Sequence, residues 1–368
     1  MEIKNIGRYL QLLAGLDLRA NRLLRKPRVL QFPLTSICQA RCVMCDVWKF
    51  DRSKDLGWTE FSEILRNDFF SEVNSVGVNG GEPAALRDLD QYLASLLVLP
   101  KIKTISIISN GFISRRFLAY LKKFKQSIHG RDIRINLTIS LDGIDSVHDR
   151  VRGIPGVFSK VVKTIELVQR SPGKYCDSLD VACTLMEENI ESFWDLYFFC
   201  DERKLNFSFR KAVQIDRLEN VMYRGFIDQG RVSGASFCRL AFEFFKRSSS
   251  LHDKYRYWCF FSDFFGKRNY RKLGCAWRDG YGVTLNAQGT LGICSVDWKD
   301  LGSGLSSVDD LIARGSNALT DLRRNSCDHC QHDYRGLLPA SAIWQFTVEL
   351  LLGKSFAFIY WLLVRLRR

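Results

Sequence analysis

The stretch Cys38-Gln-Ala-Arg-Cys42-Val-Met-Cys45 contains three cysteines in the spacing C-x3-C-x2-C, directly after a short apolar run at residues 29–33. Three thiolates this close together can bind one face of a compact metal centre. A structural zinc site normally has four protein ligands, and four also saturate a tetranuclear iron–sulfur cluster. No obvious fourth ligand lies nearby in the sequence, so three thiolates would leave one iron open to a chelating molecule. Core cysteines or a zinc site are the alternative interpretation.

The sequence around this stretch alternates between short apolar runs and segments with helical periodicity. Six runs predict buried strands, at residues 29–33, 75–79, 104–109, 133–140, 180–186 and 206–211. Helices are predicted at 58–70, 86–99, 115–125 and 157–170, the first with Thr59 as its N-cap. Six strand–helix repeats indicate an α/β fold with a curved or closed parallel sheet, whose functional residues follow the strand C-termini.

Four further motifs follow the later strands in order: Asn79-Gly-Gly-Glu-Pro83, Ser109-Asn-Gly111, Ser140-Leu-Asp-Gly143 and His148-Asp-Arg-Val-Arg-Gly153. Together with the three cysteines, they resemble the radical S-adenosylmethionine (SAM) superfamily over about residues 30–215. The resemblance implies a partial (β/α)6 TIM-type barrel of the radical SAM type. It also implies a [4Fe–4S] cluster on Cys38, Cys42 and Cys45 that binds SAM. Asn79 replaces the family's commoner serine or threonine.

The same resemblance assigns the SAM contacts. Glu82 would accept a hydrogen bond from the SAM amino group, and Arg152 would pair with the SAM carboxylate. Ser140 and Asp142 would contact the ribose or the carboxylate. The backbone of Met44, where the family prefers an aromatic residue, would hold adenine. The full set implied to bind SAM is Met44, Gly80, Gly81, Glu82, Pro83, Ser109, Asn110, Ser140, Asp142 and Arg152.

In enzymes of this family a reduced cluster passes one electron to bound SAM, and the resulting 5′-deoxyadenosyl radical takes a hydrogen atom from an unactivated carbon. The protein then has to position the substrate and exclude water. The sequence singles out no catalytic residue that would act on the substrate itself.

A second group of cysteines lies in the region 274–336. Cys275 and Cys294 belong to the pattern C-x13-G-x4-C, which has a hairpin-like turn before Gly289, and Cys327-Asp-His-Cys330 follows. The pattern resembles the twitch, or truncated SPASM, extension of radical SAM enzymes. It implies a small C-terminal α+β metal-stapled domain in which the four cysteines bind a second, auxiliary [4Fe–4S] cluster.

Two points stay open for this second group. Zinc is the alternative metal, because four thiolates in two pairs also satisfy a tetrahedral site. Cys259 is close enough in sequence to be an alternative ligand, whereas His329 and His332 are interpreted as bystanders.

The composition narrows the class of protein. The 368 residues carry a net charge of +14, which indicates an anionic partner. Nucleic acid is disfavoured, because the basic residues are dispersed and no known binding module is present. The 12 cysteines occur without an apolar signal-peptide core, so we expect a reducing, cytoplasmic compartment. Four of them are predicted to be ordinary buried thiols, namely Cys176, Cys183, Cys200 and Cys238.

Five regions are expected along the chain: a basic amphipathic helix at 1–28, the barrel at 29–215, a linker or helical region at 216–273, the second cysteine domain at 274–336 and an apolar-basic tail at 337–368. The uninterrupted apolar part of the tail, 355–364, is too short to span a bilayer. The tail is expected either to bind peripherally to the inner face of the membrane or to pack on protein.

The leading hypothesis is a radical SAM oxidoreductase or mutase. Its substrate would be a small polar metabolite of sugar, cyclitol or lipid-linked type, and its partner a one-electron reductant of flavodoxin or ferredoxin type. A saturated auxiliary cluster can carry electrons, which favours net oxidation. The alternatives are a peptide- or protein-modifying maturase and a non-catalytic iron–sulfur or zinc scaffold.

Overall fold

The computed structural model describes residues 23–112, 114–227, 232–248, 250–265 and 273–330, together with short segments at 16–17, 332, 338–339, 343–344 and 346–348. Nine strands form one sheet within these residues. The strands are β1 (Val29–Pro33), β2 (Ser75–Asn79), β3 (Thr104–Ser109), β4 (Arg134–Ser140), β5 (Ser178–Leu185), β6 (Asn206–Lys211), β7 (Gly282–Leu285), β8 (Thr290–Ile293) and β9 (Lys299–Ser303).

The strand order in the sheet is β9-β8-β7-β1-β2-β3-β4-β5-β6. Neighbours from β1 to β6 run parallel, and β7 runs parallel to β1. The two remaining pairs, β7–β8 and β8–β9, are antiparallel. The six strands predicted from apolar runs are therefore present in the predicted order, and the α/β fold with a parallel sheet is confirmed.

The helices that connect the strands are α1 (Trp58–Leu65), α2 (Leu89–Ser95), α3 (Ser114–Ser127), α4 (Ser146–Arg152), α5 (Val157–Gln169), α6 (Phe193–Glu202), α7 (Val232–Arg247), α8 (Leu251–Phe265) and α9 (Val308–Asn325). The first helix differs from its prediction at both ends. Its N-cap is Gly57 rather than Thr59, whose hydroxyl bonds to Glu60 inside the first turn. The helix ends at Leu65, and a separate 3-10 turn follows, capped by the Asn67 side chain.

Along strand β2, successive side chains alternate between the hydrophobic core and a cavity. In β2, Val76 and Val78 are fully buried in the main core. Ser75, Gly77 and Asn79, the alternate residues, line a cavity on the opposite side. Because successive side chains of a strand point to opposite faces, the same five residues supply both surfaces.

The second cysteine region is not a separate unit in the structure. Its strand β7 pairs directly with β1, so the hairpins β7–β9 extend the main sheet, and α9 packs on the same core. Leu24 packs directly against Gly315 of α9. A Cβ at Gly315 would lie only 2.1 Å from the Leu24 side chain, so there is no room for a larger residue. The region has the expected α+β composition but shares one core with the strands of the predicted barrel.

The expected N-terminal helix is absent from the part of 1–28 that the structure describes. Leu16–Asp17 is a two-residue strand paired with Leu338–Pro339, and residues 23–28 are irregular. The backbone amides of Arg25 and Arg28 instead donate to the carbonyls of Gly280 and Tyr281. These tertiary bonds, next to Pro27, outweigh the helical pattern. Residues 1–15 and 18–22 lie outside the described residues.

Part of the expected C-terminal tail packs on protein. Ile343 and Phe346 are buried against α8, where the Phe346 ring lies 5.3 Å from Tyr255 and 5.4 Å from Trp258 between ring centroids. The rest of 337–368, including the stretch 355–364, lies outside the described residues. In the described part of the chain, no helix combines the length and apolar character that crossing a membrane requires.

Candidate active site

The loop that carries the first cysteines is fastened to the turn after β2 by two short backbone hydrogen bonds. The amide of Gly81 donates to the carbonyl of Thr35 at 2.6 Å, and the amide of Glu82 donates to the carbonyl of Ile37 at 2.7 Å. A Cβ on Gly81 would lie 2.2 Å from the Ile37 carbonyl oxygen. Only glycine permits this approach, so the glycine pair serves to dock the cysteine loop as well as to leave room for a ligand.

Asp55 holds the same loop from its other side. Its carboxylate accepts hydrogen bonds from the Thr35 hydroxyl, the Ser36 amide and the Ser36 hydroxyl at 2.9, 2.6 and 3.0 Å. It also accepts one from the Gln288 side-chain amide at 2.8 Å. Because Gln288 belongs to the turn between β7 and β8, Asp55 connects the cysteine loop to the C-terminal hairpin.

The three cysteines of the loop line one cavity of about 430 Å³ at the carboxyl ends of the parallel strands. We call it the first cavity. Eight of the ten residues that the family resemblance implies to bind SAM also line it: Met44, Gly80, Gly81, Glu82, Ser109, Asn110, Ser140 and Arg152. Pro83 and Asp142 do not. Motifs that are up to 114 residues apart in sequence therefore meet around the cysteines.

The three thiols need a strongly electropositive partner in order to ionise. Burial raises the pKa of Cys38 to about 12 and that of Cys45 to about 11, and it also raises the pKa of Cys42. Thiolates are the ligands that iron–sulfur clusters require. Three soft donors that face one cavity fit such a cluster, which would supply the missing positive charge.

Glu82 ties together the loops after β2 and β3. One carboxylate oxygen accepts from the Ala84 amide at 2.9 Å and from the Ser109 hydroxyl at 2.7 Å. The other accepts from the Asn110 amide at 2.7 Å. Burial raises the pKa of Glu82, while these donors lower it. Its second oxygen still has a lone pair available for an ammonium group of a ligand.

Asp142 has a different position from the one that the resemblance implied. It is fully buried, its Oδ1 accepts from the Thr184 amide at 2.8 Å, and its Oδ2 lies 2.6 Å from the Arg152 guanidinium. Arg152 in turn donates to the Cys42 sulfur at 3.6 Å. Asp142 therefore orients Arg152 toward the cavity and is not itself part of the cavity wall.

Two polar atoms beside the cysteines are suited to a polar ligand. Asn79 Oδ1 and Asn110 Nδ2 are buried and have no hydrogen-bond partner among the described residues. Both residues line the first cavity. Since a buried polar atom without a partner is costly, an acceptor and a donor here fit a molecule with polar groups of its own, such as SAM.

Several cavity residues were not predicted from the sequence. They are Trp48, Ser106, Thr184, Arg210, Lys211, Arg217, Asn220, Trp277 and His332. A signal exists for Ser106 and Thr184, because each is a polar residue between two apolar neighbours in a predicted strand. The others reach the cavity through tertiary packing and leave no comparable signal.

The second group of cysteines lines a second cavity of about 330 Å³. The four that the resemblance assigns, Cys275, Cys294, Cys327 and Cys330, all lie on its wall, and so do His329 and His332. Within the described ranges, no three His, Cys, Asp or Glu side chains converge tightly enough to hold a single metal ion.

Cys259 lies apart from this second cavity, fully buried on α8 in the apolar cluster with Phe346. The structure therefore does not bring Cys259 together with the other four cysteines. The four cysteines predicted to be buried thiols, Cys176, Cys183, Cys200 and Cys238, are all buried.

Comparison with known proteins identifies the first cavity. Residues 32–200 match the model of the radical SAM superfamily. This part of the chain is a radical SAM domain. The match includes the three cysteines and all the motifs that surround them, so the family resemblance inferred from the sequence is confirmed. The family implies a [4Fe–4S] cluster and SAM as the cofactors of this domain.

Curated relatives include GTP 3′,8-cyclases. The enzyme from Clostridium botulinum (strain Okra / Type B1) is 28% identical over 148 residues, which are 39% of this chain and 43% of the relative. The one from Pseudomonas entomophila (strain L48) is 25% identical over 64% of this chain and 68% of its own. The chain thus spans less than half the length of the first of these relatives.

Solved structures show the same fold. Streptococcus suis SuiB bound to S-adenosylmethionine superposes with a TM-score of 0.55 at 18% identity, covering 89% of this chain and 72% of SuiB. The structure of anSMEcpe with bound AdoMet gives a TM-score of 0.58 at 15% identity, covering 91% and 96%. The radical SAM type of fold is therefore confirmed.

The buried ion pair between Asp142 and Arg152 should contribute to the stability of the fold. We expect Asp142→Asn to lower the free energy of unfolding by about 3 kcal/mol, because it leaves the Arg152 guanidinium buried without its counter-charge. Urea unfolding followed by tryptophan fluorescence measures this change.

The matched control is Glu166→Gln, which removes the acid of an exposed pair with Arg170. This control should change the free energy of unfolding by less than about 0.5 kcal/mol. A variant Asp142→Asn that is as stable as the control but binds SAM more weakly would show that Asp142 contacts the ligand instead.

Proposed function

We propose that the chain is an enzyme that cleaves SAM reductively at a [4Fe–4S] cluster on Cys38, Cys42 and Cys45 and removes a hydrogen atom from a substrate in the first cavity. The observation that carries the proposal is the convergence of three thiols, Glu82 and Arg152 on one cavity. When bound there, the cluster and SAM would supply the 5′-deoxyadenosyl radical.

The chain's own residues would bind and orient these groups. Glu82 and the unpartnered Asn110 Nδ2 offer an acceptor and a donor to the polar end of SAM. Arg152, fixed by Asp142, carries a charge next to the Cys42 ligand. Burial lowers the pKa of Arg152, but Asp142 and Cys42 raise it by more, so the guanidinium remains charged.

We further propose that Cys275, Cys294, Cys327 and Cys330 bind an auxiliary [4Fe–4S] cluster. A cavity of about 330 Å³ between four cysteines suits a bulky cluster. A single zinc ion would need the four sulfurs at about 2.3 Å from one point. The size of this cavity therefore favours the cluster over zinc.

The position of the second cavity supports a redox role for such a cluster. The two cavities share a wall made of Lys211, Ala212, Val213, Trp277 and His332. An auxiliary cluster would therefore lie next to the substrate space and could accept an electron from a substrate radical. Net oxidation is the reaction that this arrangement favours, with rearrangement as the alternative.

A small polar metabolite is the substrate class that we propose. A volume of about 430 Å³ that also has to hold SAM leaves little room for an extended chain. The relatives named GTP 3′,8-cyclase act on GTP, itself a small polar molecule. A peptide- or protein-modifying activity remains the second candidate. The electron donor would be an external protein of flavodoxin or ferredoxin type.

Loss of one cluster ligand should abolish the proposed chemistry. We expect Cys42→Ala, reconstituted anaerobically with iron and sulfide, to release 5′-deoxyadenosine from SAM and dithionite at least about 100-fold more slowly than the unchanged protein. Chromatographic quantification of 5′-deoxyadenosine measures the rate.

Cys200→Ala is the matched control, because Cys200 is buried on α6 outside both cavities. It should release 5′-deoxyadenosine at the rate of the unchanged protein. Equal rates for Cys42→Ala and Cys200→Ala, or no release by the unchanged protein, would refute the proposed function and leave a non-catalytic scaffold.

If the second group of cysteines binds an auxiliary cluster, the number of iron atoms per chain is fixed. The unchanged protein should bind about eight iron atoms per chain, and the double variant Cys275→Ala/Cys294→Ala about four. Elemental analysis with sulfide quantification measures both, and Cys259→Ala, outside the second cavity, should keep about eight. About four iron atoms plus one zinc in the unchanged protein would instead establish the zinc site.

A further inference from the structure

Two adjacent cations lie where the sixth parallel strand ends. Arg210 and Lys211 are the last residues of β6, and both line the first cavity with the three cysteines of the loop. Arg210 is paired in register with Thr184 of β5, which lines the same cavity. Lys211 also lines the second cavity, so this pair lies on the side of the first cavity that borders the second cysteine group.

The charges around the first cavity do not balance. Glu82 is the one acidic residue on its described wall, and its carboxylate already accepts three hydrogen bonds. Against it stand four basic residues, Arg152, Arg210, Lys211 and Arg217. Arg152 is neutralised by Asp142, which lies behind the wall. Basic side chains therefore outnumber acidic ones on this wall.

Arg210 contributes most clearly to this excess. Its side chain is half-buried, and none of the described residues forms a hydrogen bond or an ion pair with it. A guanidinium that is partly removed from water gains from a planar anion, because its fork donates two parallel hydrogen bonds to a carboxylate or a phosphate. Lys211, the next residue of the strand, instead has its Nζ 5.9 Å from the centroid of the Phe237 ring.

We propose that Arg210 forms the anchoring site for an anionic group of the substrate, a phosphate or a carboxylate. This inference rests on the proposed function, because it takes the first cavity to be the substrate space. The anchored group would lie against the wall shared with the second cavity, so the substrate body extends from that wall toward the cysteine loop.

One competing assignment has to be tested directly. SAM itself carries a carboxylate, and Arg210 could bind that group instead of the substrate. Arg152 is the residue that the family motif assigns to the SAM carboxylate, and it lies beside the Cys42 ligand. Arg210 lies on the edge strand β6, and three strands separate it from β2, whose following turn docks the cysteine loop.

The experiment titrates three small probes into the anaerobically reconstituted, SAM-loaded full chain by isothermal calorimetry. Phenyl phosphate and benzoate carry the two anionic groups, and phenol has the same ring without the charge. The variant is Arg210→Gln, and the control is Arg203→Gln, which removes an equal charge from an exposed arginine after α6. SAM affinity is measured separately for each protein.

We expect Arg210→Gln to weaken the binding of at least one anionic probe about tenfold or more, with phenol binding and SAM affinity unaffected. Arg203→Gln should match the unchanged protein. The probe that loses affinity identifies the group as phosphate or carboxylate.

Three results would overturn the proposal: anion affinities that Arg210→Gln leaves unchanged, phenol binding as tight as anion binding, or a SAM affinity that falls by the same factor as the anion affinity. The last result would assign Arg210 to the SAM carboxylate. A protein that shows the expected anion site but releases no 5′-deoxyadenosine would refute the proposed function and not the anion site.

Discussion

The contact between the Gly80–Glu82 turn and the loop before Cys38 is the constraint on which the site depends. Two backbone hydrogen bonds of 2.6 and 2.7 Å join Gly81 and Glu82 to that loop. Each contributes only about 1 kcal/mol, but the approach that they require excludes any side chain at Gly81. Glu82 then extends the connection to Ser109 and Asn110 after the next strand. Three strand ends are thereby locked around one cavity.

The second group of cysteines is positioned by the sheet and not by a flexible linker. Strand β7 pairs with β1, the strand that leads into the first cysteine loop. Gln288, between β7 and β8, also binds Asp55, which holds that loop. Because one connection is made of paired backbone groups and the other of hydrogen-bonded, partly buried side chains, the two cavities keep a fixed relation across their shared wall. A fixed separation is what electron transfer between a substrate and an auxiliary cluster would require.

Local patterns were sufficient to predict the strands, the cysteine loop and the turns after the strands that meet at the first cavity. Runs of β-branched and apolar residues predict strands because such residues are buried in a sheet. Glycines and small polar residues that follow the strands mark the edge of the sheet where ligands bind. Tertiary effects account for the failures. Residues 23–28 follow a helical pattern but pair with Gly280 and Tyr281, 250 positions away. Asp142 lies in a recognisable motif, yet its partner is Arg152 and not the cavity. Arg210 has the pattern of an ordinary strand end, and only its position on the wall of the first cavity singles it out.

The claim that three thiolates leave one iron open to SAM can be tested by electron paramagnetic resonance of the anaerobically reconstituted, reduced protein. Frozen samples with and without SAM are compared in a variant that lacks Cys275 and Cys294, so that the signal of the first cluster is observed by itself. We expect SAM to change the g-values of that signal, because SAM would coordinate the open iron. A reduced cluster whose spectrum is identical with and without saturating SAM would contradict the claim.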